Sequence, residues 1–371
     1  MSSASRVAVE LGARRYEVLI APGLISRLGE LLRGQGLKQT NAFIITNADV
    51  AGHYFGPVQS ALEGAGFHRV VRHDIPATEE GKNWDVFSGA CAALLEAFPD
   101  AGASPLVFLL GGGVVGDLGG FAAAVFRRGV PFVQIPTTLL SAVDSSVGGK
   151  VAVNFGGVKN IMGAFSQPSL VVCDLSTLDT LSARELRSGG AEVIKYGAVC
   201  SAPLFEQLER GDLEKLLARD PAVLADIVTQ CVALKARVVE QDEFDKKGIR
   251  NVLNFGHTIG HALELSADYA LTHGEAISIG MIAATRIARE LSMVDEAFAQ
   301  RLESLFVRAG LPTHYSGHSE LFDRVKRALQ LDKKFREGRN VFVLPMAVGG
   351  WQQRENIDWA LVDSAIRSAI E

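Results

Sequence analysis

Cysteine is scarce in this chain, and the cysteines that are present are far apart. There are four, Cys91, Cys173, Cys200 and Cys231. No two of them have the spacing of a zinc-binding or redox motif. The sequence therefore argues against a cysteine-based metal or redox site and predicts buried, reduced thiols.

Excess positive charge and long apolar runs are missing as well. The net charge is -5 at pH 7, whereas nucleic-acid-binding surfaces carry clustered lysine and arginine. No segment reaches the roughly 20 consecutive apolar residues that cross a bilayer. The N-terminus also lacks the charged and then apolar run of a signal peptide. We therefore expect a cytoplasmic protein with neither nucleic acid nor membrane as a partner.

What the chain does have is length and an apolar composition. Its 371 residues, 48% of them hydrophobic, are enough for two domains with their own cores. Short β-rich runs bounded by Gly, Pro or Asn occur at 15–20, 42–46, 70–75, 106–110, 132–135 and 170–174. Helical patterns lie between them, for example at 24–32 and 86–98. This alternation predicts a mainly parallel sheet with helices on its faces.

The pattern changes near residue 180. Ser182, with Glu185 three residues later, has the spacing of a capping box, and apolar residues then recur at three and four. The exception is 340–345, followed by two glycines, which predicts a hairpin. We therefore predict a Rossmann-like α/β domain with a mainly parallel sheet over 1–180 and an all-α domain over 181–371.

Three segments of the second half, 189–195, 254–261 and 272–275, combine carboxylates with imidazoles. On helices of about 3.6 residues per turn, Glu192 and Lys195 share one face, and His257 and His261 share another. An open zinc-type site takes three His or carboxylate ligands and leaves one position for substrate. With His273 and Glu275 nearby the set is sufficient, although such a His pair is often a surface or packing pair. The spacing leaves open whether His261 is a fourth ligand or a proton carrier.

Two glycine-rich segments lie in the first half. The first, Gly111-x-Gly113-x-x-Gly116, follows a β-rich run and suits either a pyrophosphate or a tight strand-to-helix turn. No acidic residue ends a strand some twenty residues later, so it is not an ordinary Rossmann fingerprint. Asn47 closes an early strand, either to face an adenosine ribose or simply to end the strand.

The second glycine-rich segment, 136–150, joins two threonines, a carboxylate and a Gly-Gly-Lys turn. Lys150, Lys159, Asn160 and the pair Arg127-Arg128 supply cationic or amide donors nearby in sequence. Such clusters are usually solvated, but glycines beside them favour an anion pocket. Lys195, Lys235 and Arg250 also suit solvated faces, whereas a short amide such as Asn254 within a helix usually has a partner.

These motifs, taken in order, resemble those of the 3-dehydroquinate synthase family over the whole chain. The segments that carry the resemblance are 111–117, 128–129, 136–140, 143–150, 159–160, 163–165, 191–195, 254–261, 273–276 and 332–334. The resemblance implies a homodimer that uses NAD and a divalent metal, zinc or else cobalt. It implies a lyase of the shikimate pathway that converts 3-deoxy-D-arabino-heptulosonate 7-phosphate to 3-dehydroquinate and phosphate.

The resemblance also implies site residues. Glu192, His257 and His273 would be metal ligands and His261 would not. Phosphate would be met by Lys150, Asn160 and His261, with Arg128 from the partner subunit. Arg250 and one of Lys333 and Lys334 would hold the carboxylate, and Asp144, Lys195, Lys235 and Asn254 would contact hydroxyls. NAD would lie against Asn47, Glu79, Lys82, Gly112, Gly113, Val114, Gly116, Asp117, Thr137, Thr138, Lys150, Lys159, Thr177 and Thr180.

Two departures from the family pattern are visible. Thr78 and Val158 stand where the family usually has glycine, so the shape of two loops and their affinity for cofactor or phosphate are in question. The nearest alternative is a sibling sugar phosphate cyclase such as a 2-epi-5-epi-valiolone synthase. The sugar substrate of such an enzyme has no carboxylate for Arg250 and the lysine pair to bind. A polyol dehydrogenase of related fold and a non-catalytic nucleotide sensor are more distant alternatives.

Overall fold

The computed structural model describes residues 4–100, 102–316, 320–331 and 339–370. The chain divides into two compact units. Unit 1 comprises Met1–Leu181 and Cys231–Phe244, and unit 2 comprises Ser182–Gln230 and Asp245–Glu371.

Unit 1 contains nine strands and four helices among its described residues, besides part of one long helix given below. The strands are β1 (Ser5–Val9), β2 (Tyr16–Ala21), β3 (Asn41–Thr46), β4 (Arg69–Asp74), β5 (Leu106–Gly111), β6 (Phe132–Pro136), β7 (Lys150–Phe155), β8 (Val158–Phe165) and β9 (Leu170–Asp174). The helices are α1 (Leu28–Gly34), α2 (Ala48–Gly64), α3 (Trp84–Ala97) and α4 (Gly113–Val125). All six strands predicted from the β-rich runs are present.

Seven strands form one sheet in the order β1-β2-β9-β6-β5-β3-β4. Every neighbouring pair is parallel except β1 with β2, so the predicted mainly parallel sheet is confirmed. From β3 the chain passes through α2 to β4, its neighbour toward one edge of the sheet. From β5 it passes through α4 to β6, its neighbour toward the opposite edge. The strand order thus reverses between β3 and β5, where ligands bind in open α/β sheets.

Both faces of this sheet are buried. Along β3, Phe43 and Ile45 pack in one apolar cluster, and Ala42 and Ile44 pack in the other. Alternate residues of a strand point to opposite faces, so a continuous apolar run is what a sheet covered on both sides requires. This is why the central strands were recognisable in the sequence.

Strands β7 and β8 form a separate antiparallel ribbon that the sequence patterns did not predict. Gly156 and Gly157 connect them, with φ of 59° and 76°. Positive φ at both central residues is what a tight hairpin turn of right-handed twist requires, and glycine adopts it without strain. Adjacent glycines are equally typical of a loop, so local sequence does not identify the ribbon.

Unit 2 is mainly helical. Its helices are α5 (Ala183–Cys200), α6 (Ala202–Gln207), α7 (Leu213–Leu217), the first part of α8 (Pro221–Gln241), α9 (His257–Ser266), α10 (His273–Glu290), α11 (Glu296–Arg308), α12 (Leu321–Leu331) and α13 (Trp359–Ile370). The predicted hairpin is present as β10 (Val341–Ala347) paired antiparallel with β11 (Gly350–Glu355). Ser182 caps α5 by accepting from the amide of Glu185, although the reciprocal arm of a capping box is absent among the described contacts.

The predicted domain 181–371 differs from unit 2 in two respects, because Leu181 and residues 231–244 belong to unit 1. Lys235 Nζ lies 2.8 Å from Asp144 Oδ1. Arg14 forms two hydrogen bonds with Glu243, and the ring of Phe244 packs edge-on against Phe165. Contacts of such sequence separation cannot be read from local periodicity. Within the described parts of the chain, no helix is long and apolar enough to cross a membrane.

Candidate active site

Glu192 lies in the middle of α5 and is fully buried. The ammonium of Lys195, one turn later, forms an ion pair with its Oε2 atom. Its Oε1 atom has no hydrogen-bond partner among the described residues. Burial of a carboxylate is costly unless its oxygens are paired or bind a metal, so Oε1 is a candidate ligand atom.

His257 is the first residue of α9, directly after Gly256, whose φ is 78°. The Nδ1 atom of His257 lies 3.0 Å from the carbonyl oxygen of Phe255. With the proton on Nδ1 donated to that carbonyl, the Nε2 lone pair points the other way. It faces Glu192, with Nε2 3.5 Å from Oε1. The backbone therefore sets the tautomer that metal binding through Nε2 requires.

His273 is the first residue of α10, and a complete capping box fixes that end of the helix. Thr272 accepts from the amide of Glu275, and the Glu275 carboxylate accepts from the amide of Thr272 at 2.8 Å. Arg184 also binds both oxygens of Glu275. Glu275, grouped with the candidate ligands in the sequence, thus caps the helix that carries His273.

Close helix contacts bring the two histidines to Glu192. A Cβ added at Gly274 would overlap the backbone of Ser188, one turn before Glu192 on α5. A Cβ at Gly260 of α9 would lie 3.1 Å from the Cα of Ile277 on α10. Glycine at these positions lets the backbones approach closer than any side chain permits.

The result is a set of three groups around one oxygen. The Nε2 atoms of His257 and His273 each lie 3.5 Å from Glu192 Oε1. Burial acts to lower the pKa of His273, but the carboxylates of Glu192 and Glu264 outweigh it and raise the pKa to about 9. Two imidazoles and one carboxylate are a known open zinc-type ligand set, and the orphaned buried Oε1 fits a metal there.

His261 lies one turn after His257 on α9. Among the described residues, ring nitrogens of His257, His261 and His273 lie within 4.8 Å of one another. The ring centroid of His261 is 5.1 Å from that of His257 and 5.7 Å from that of His273. The geometry alone is compatible with His261 as a ligand or as a neighbour of the metal.

Three further predicted residues lie in the same unit. Lys195 is fully buried, and its Nζ atom donates to the carbonyl oxygen of Leu253 at 2.9 Å. Leu253 is the residue directly before Asn254. Asn254 does not lie within an α-helix as expected, because it ends a short 3-10 turn, Ile249–Asn254. The positive φ of Gly256 interrupts the helical path between this turn and α9. Arg250, in the same turn, is buried.

In unit 1, most of the residues predicted to bind NAD follow the carboxyl ends of β3, β4, β5, β6 and β9, whereas Lys150 and Lys159 lie on β7 and β8. Parallel strands present these ends at one edge of the sheet. Gly112 is the N-cap residue of α4, and no side chain of a described residue caps that helix. A Cβ at Gly112 would lie 3.0 Å from Thr138, and a Cβ at Gly116 2.9 Å from Gln134. The motif glycines therefore serve close packing, while the uncapped amides suit a phosphate.

The hydroxyls at this edge have different environments. Thr137 is buried, and its Oγ1 has no hydrogen-bond partner among the described residues. Thr177 Oγ1 donates to the carbonyl oxygen of Asp174 at 2.7 Å, and Thr180 Oγ1 lies 2.7 Å from the Tyr54 hydroxyl. Asn47 caps α2 by accepting from the amide of Val50. Thr137 is the hydroxyl that most needs a ligand.

Glu79, Lys82, Asp117 and Lys159 form a polar network that is joined through Asn154, whose backbone amide donates to the carbonyl oxygen of Lys82 at 2.8 Å. Lys82 and Asp117 form an ion pair, and Asn154 Nδ2 donates to Glu79 Oε1 at 3.0 Å. Lys159 Nζ lies 3.7 Å from the same Oε1. Burial raises the pKa of Asp117, although the Lys82 ammonium acts to lower it. The structure thus gathers four residues expected at the cofactor.

The donors expected to bind phosphate are less close to one another. Lys150 begins β7 opposite Phe165, whereas the amide of Asn160 donates to Asn154 Oδ1 near the other end of the ribbon. At about 3.3 Å per residue, the backbones of Lys150 and Asn154 are roughly 13 Å apart. Arg128 is exposed, with a φ of 65°. The expected meeting of these side chains is not visible within unit 1.

The other predictions have varied outcomes. Lys235 donates to both the carbonyl and the carboxylate of Asp144. These two residues, both expected to contact substrate hydroxyls, therefore lie side by side. Lys333 and Lys334 lie outside the described residues. Thr78 has a φ of -92° and caps the turn Glu79–Gly81, and Val158 has no positive φ. Neither position therefore needs glycine on backbone grounds.

Sequence reasoning missed several residues that position the site. Gly274 and Ser188 hold α10 against α5, Asn154 links Glu79 to the ribbon, and Glu264 lies beside His273. For Glu264 a signal was present, because it lies seven residues after His257 and hence on the same helix face. The other three depend on distant contacts.

Comparison with known proteins gives a consistent result. The family models described as 3-dehydroquinate synthase N-terminal and 3-dehydroquinate synthase C-terminal match residues 72–188 and 189–335. A 3-dehydroquinate synthase of Citrifermentans bemidjiense is 42% identical, over 96% of each chain. One of Caldanaerobacter subterraneus is 44% identical, over 92% of this chain and 94% of the relative.

Solved structures of the same fold include two sugar phosphate cyclases. A 2-epi-5-epi-valiolone synthase of Streptomyces hygroscopicus with NAD+ and Zn2+ bound is 27% identical, with a TM-score of 0.84 over 100% of this chain and 98% of that chain. A 2-deoxy-scyllo-inosose synthase with carbaglucose-6-phosphate, NAD+ and Co2+ is 22% identical, with a TM-score of 0.87 over 99% and 100% of the two chains, and shows likeness of fold alone. The curated relatives and the two family models together show that the chain belongs to the 3-dehydroquinate synthase family.

Proposed function

We propose that this chain converts 3-deoxy-D-arabino-heptulosonate 7-phosphate to 3-dehydroquinate and phosphate, with NAD and a divalent metal, zinc or else cobalt. The observation that carries the proposal is the convergence of two imidazole Nε2 atoms on one buried carboxylate oxygen. Curated relatives named 3-dehydroquinate synthase are more than 40% identical over nearly the whole chain, and they support this choice of substrate. A cytoplasmic location stays a prediction.

In this proposal Glu192, His257 and His273 hold the metal. When bound, the metal supplies Lewis acidity to a substrate hydroxyl, and NAD supplies an acceptor for a hydride that is later returned. Lys195, buried beside Glu192 and bound to a backbone carbonyl, holds a positive charge next to the ligand carboxylate. That charge favours loss of a proton from a nearby hydroxyl.

The proposed cofactor residues are those at the carboxyl edge of the sheet in unit 1. The uncapped start of α4 at Gly112 and Gly113 would receive the pyrophosphate, because helix amides bind anions. The buried Thr137 hydroxyl would donate to the cofactor, which resolves its lack of a partner among the described residues. The network of Glu79, Lys82, Asp117 and Lys159 lies after the ends of β4 and β5 and on the ribbon.

The remaining residues are proposed to position the substrate. Arg250 is buried, and a guanidinium binds a carboxylate through two parallel hydrogen bonds. His261, Lys150 and Asn160 would bind the phosphate. Asp144, with Lys235, and Asn254, next to the carbonyl that Lys195 binds, would contact hydroxyls. The substrate's own phosphate would accept the proton that must be removed from the substrate before the phosphate leaves. The chain therefore needs cations that position the phosphate more than it needs a strong base.

Phosphate release tests the proposal directly. We expect the purified protein, reconstituted with NAD and zinc, to release one phosphate per heptulosonate consumed without net accumulation of NADH. A chelator should abolish release, and added zinc or cobalt should restore it. Steady growth of NADH absorbance with a simple polyol would instead favour a dehydrogenase.

A second candidate is a 2-epi-5-epi-valiolone synthase, favoured by the solved structure of that enzyme with the same fold. Its substrate, sedoheptulose 7-phosphate, carries no carboxylate for Arg250 to bind. The same phosphate assay with both substrates distinguishes the two. Release from sedoheptulose 7-phosphate alone would overturn the proposed function.

We also propose a homodimer in which Arg128 acts in the partner's site. Arg127 is anchored to the carbonyl of Phe98, whereas the next residue, Arg128, is exposed. Phe155 and Val158 expose apolar side chains on the ribbon, as an interface would require.

Mixing two inactive variants tests this arrangement. We expect R128A and H273A to be nearly inactive alone, and an equal mixture, after subunit exchange, to regain about a quarter of wild-type activity, because half the dimers are mixed and each has one complete site. Phosphate release measures the recovery, and each variant mixed with itself is the control. No recovery in a mixture shown to have exchanged subunits would place Arg128 in its own subunit's site.

A further inference from the structure

Glu264 is a buried carboxylate on α9 to which the proposed reaction assigns no role. It lies seven residues after His257 and three after His261, so the three side chains share one helix face. Only 5% of its surface is exposed. A carboxylate this deeply buried is costly unless it has charged or hydrogen-bonding partners, and one partner is His273.

The ring of His273 lies between two carboxylates. Its Nε2 atom is 3.5 Å from Glu192 Oε1, and its Nδ1 atom is 3.6 Å from Glu264 Oε2. The second distance is within the range of an ion pair and slightly longer than a hydrogen bond. Because Glu264 contacts the ring nitrogen opposite to the one that faces Glu192, it does not compete for the same ligand position.

An imidazole that binds a metal through one nitrogen has only the other left as a donor. The partner of that donor selects the tautomer and the ring orientation, and carboxylates are common partners in metal sites. We propose that Glu264 is the positioning residue of His273: its carboxylate accepts a hydrogen bond from the Nδ1–H group and thereby directs Nε2 toward Glu192. This inference rests on the proposed metal site.

The other ligand histidine shows the same arrangement with a different acceptor. His257 Nδ1 lies 3.0 Å from the carbonyl oxygen of Phe255. In both histidines, therefore, Nδ1 lies beside an oxygen acceptor and Nε2 faces the same oxygen of Glu192. A backbone carbonyl cannot be removed by substitution, whereas the Glu264 side chain can. The His273 arm of the site is therefore the one in which orientation can be tested.

Three substitutions separate orientation from charge. Glu264→Gln keeps an acceptor oxygen at the same reach and loses the charge, Glu264→Asp keeps the charge and loses the reach, and Glu264→Ala loses both. The Zn2+ dissociation constant of each full-length variant is measured by competition with a chromophoric chelator. The visible spectrum of the Co2+ form reports the ligand geometry, and circular dichroism of the metal-free protein reports folding.

We expect Glu264→Ala and Glu264→Asp to bind Zn2+ about 10- to 100-fold more weakly than the wild type, with an altered Co2+ spectrum. Glu264→Gln should bind within about tenfold of the wild type, because its amide oxygen still accepts a hydrogen bond from the Nδ1–H group. Glu303→Gln, at an exposed position of α11, is the matched control and should change neither quantity.

Wild-type affinity and spectrum in Glu264→Asp would overturn the proposal, and so would a loss in Glu264→Gln as large as that in Glu264→Asp. If Glu264→Ala does not fold, Asp and Gln still decide between the outcomes. Failure of the wild-type protein itself to bind Zn2+ would overturn the proposed metal site, which is a separate result from unequal variants of a protein that binds.

Discussion

Replacing His273 by alanine should remove metal and activity together, whereas replacing His261 by alanine should keep the metal and lose rate. The Nε2 atom of His273 faces the orphaned Glu192 Oε1, so its loss leaves two ligands where an open site needs three. The drop in metal affinity should exceed the roughly 10- to 100-fold that outer partners contribute. His261→Ala should lower the rate of phosphate release about 100-fold or more.

Metal content after dialysis and phosphate release from the heptulosonate measure the two effects on the same samples. The two variants control for each other, because each removes one imidazole of the same cluster. Equal metal loss in both would show that His261 is a ligand. Retained metal in His273→Ala would remove His273 from the ligand set.

Replacing Gly274 by alanine should damage the metal site without removing any ligand. The added Cβ would lie 2.5 Å from the Cα of Ser188 and would overlap its carbonyl oxygen, and backbone atoms cannot rotate away. Helix α10 must therefore shift from α5. We expect unit 2 to lose about 3 kcal/mol of unfolding free energy, at the upper end for an overpacked core, and His273 to move away from Glu192.

Urea unfolding followed by circular dichroism measures the first effect, and chelator competition measures the second, which we expect to exceed tenfold. Gly89→Ala is the matched control, since nothing lies within 4 Å of a Cβ at that exposed helix position. It should stabilise its helix by about 0.5–1 kcal/mol and leave metal affinity unchanged. Wild-type stability and affinity in Gly274→Ala would contradict the described contact between α5 and α10.

The sequence predicted those features that depend on residues near one another in the chain. The central strands were recognisable because β3 and its neighbours are buried on both faces and so are continuously apolar. Glu192 with Lys195, and His257 with His261, were paired by helical spacing alone, and the first pair is an ion pair in the structure. The local rules of helix geometry were sufficient for these.

Features that depend on distant contacts were not predictable in this way. The return of residues 231–244 to unit 1 depends on Lys235 with Asp144, which are 91 residues apart. The ribbon of β7 and β8 was not predicted because its two turn glycines are equally typical of a loop. His273 could be named as a candidate, but its position against Glu192 depends on Gly274 and Ser188, whose contact joins two helices. Local pattern carries no information on which helices touch.

The side chains around Glu192 also have a charge balance with a consequence for ligand choice. Glu192 and Glu264 contribute two negative charges to this cluster, and Lys195 contributes one positive charge. A monovalent cation would leave these three groups neutral in sum, whereas a dication would make them positive by one. If a dication binds there as proposed, Lys195 would give the site an attraction for anions, and a competitive inhibitor should gain more from an added negative charge than from added apolar bulk.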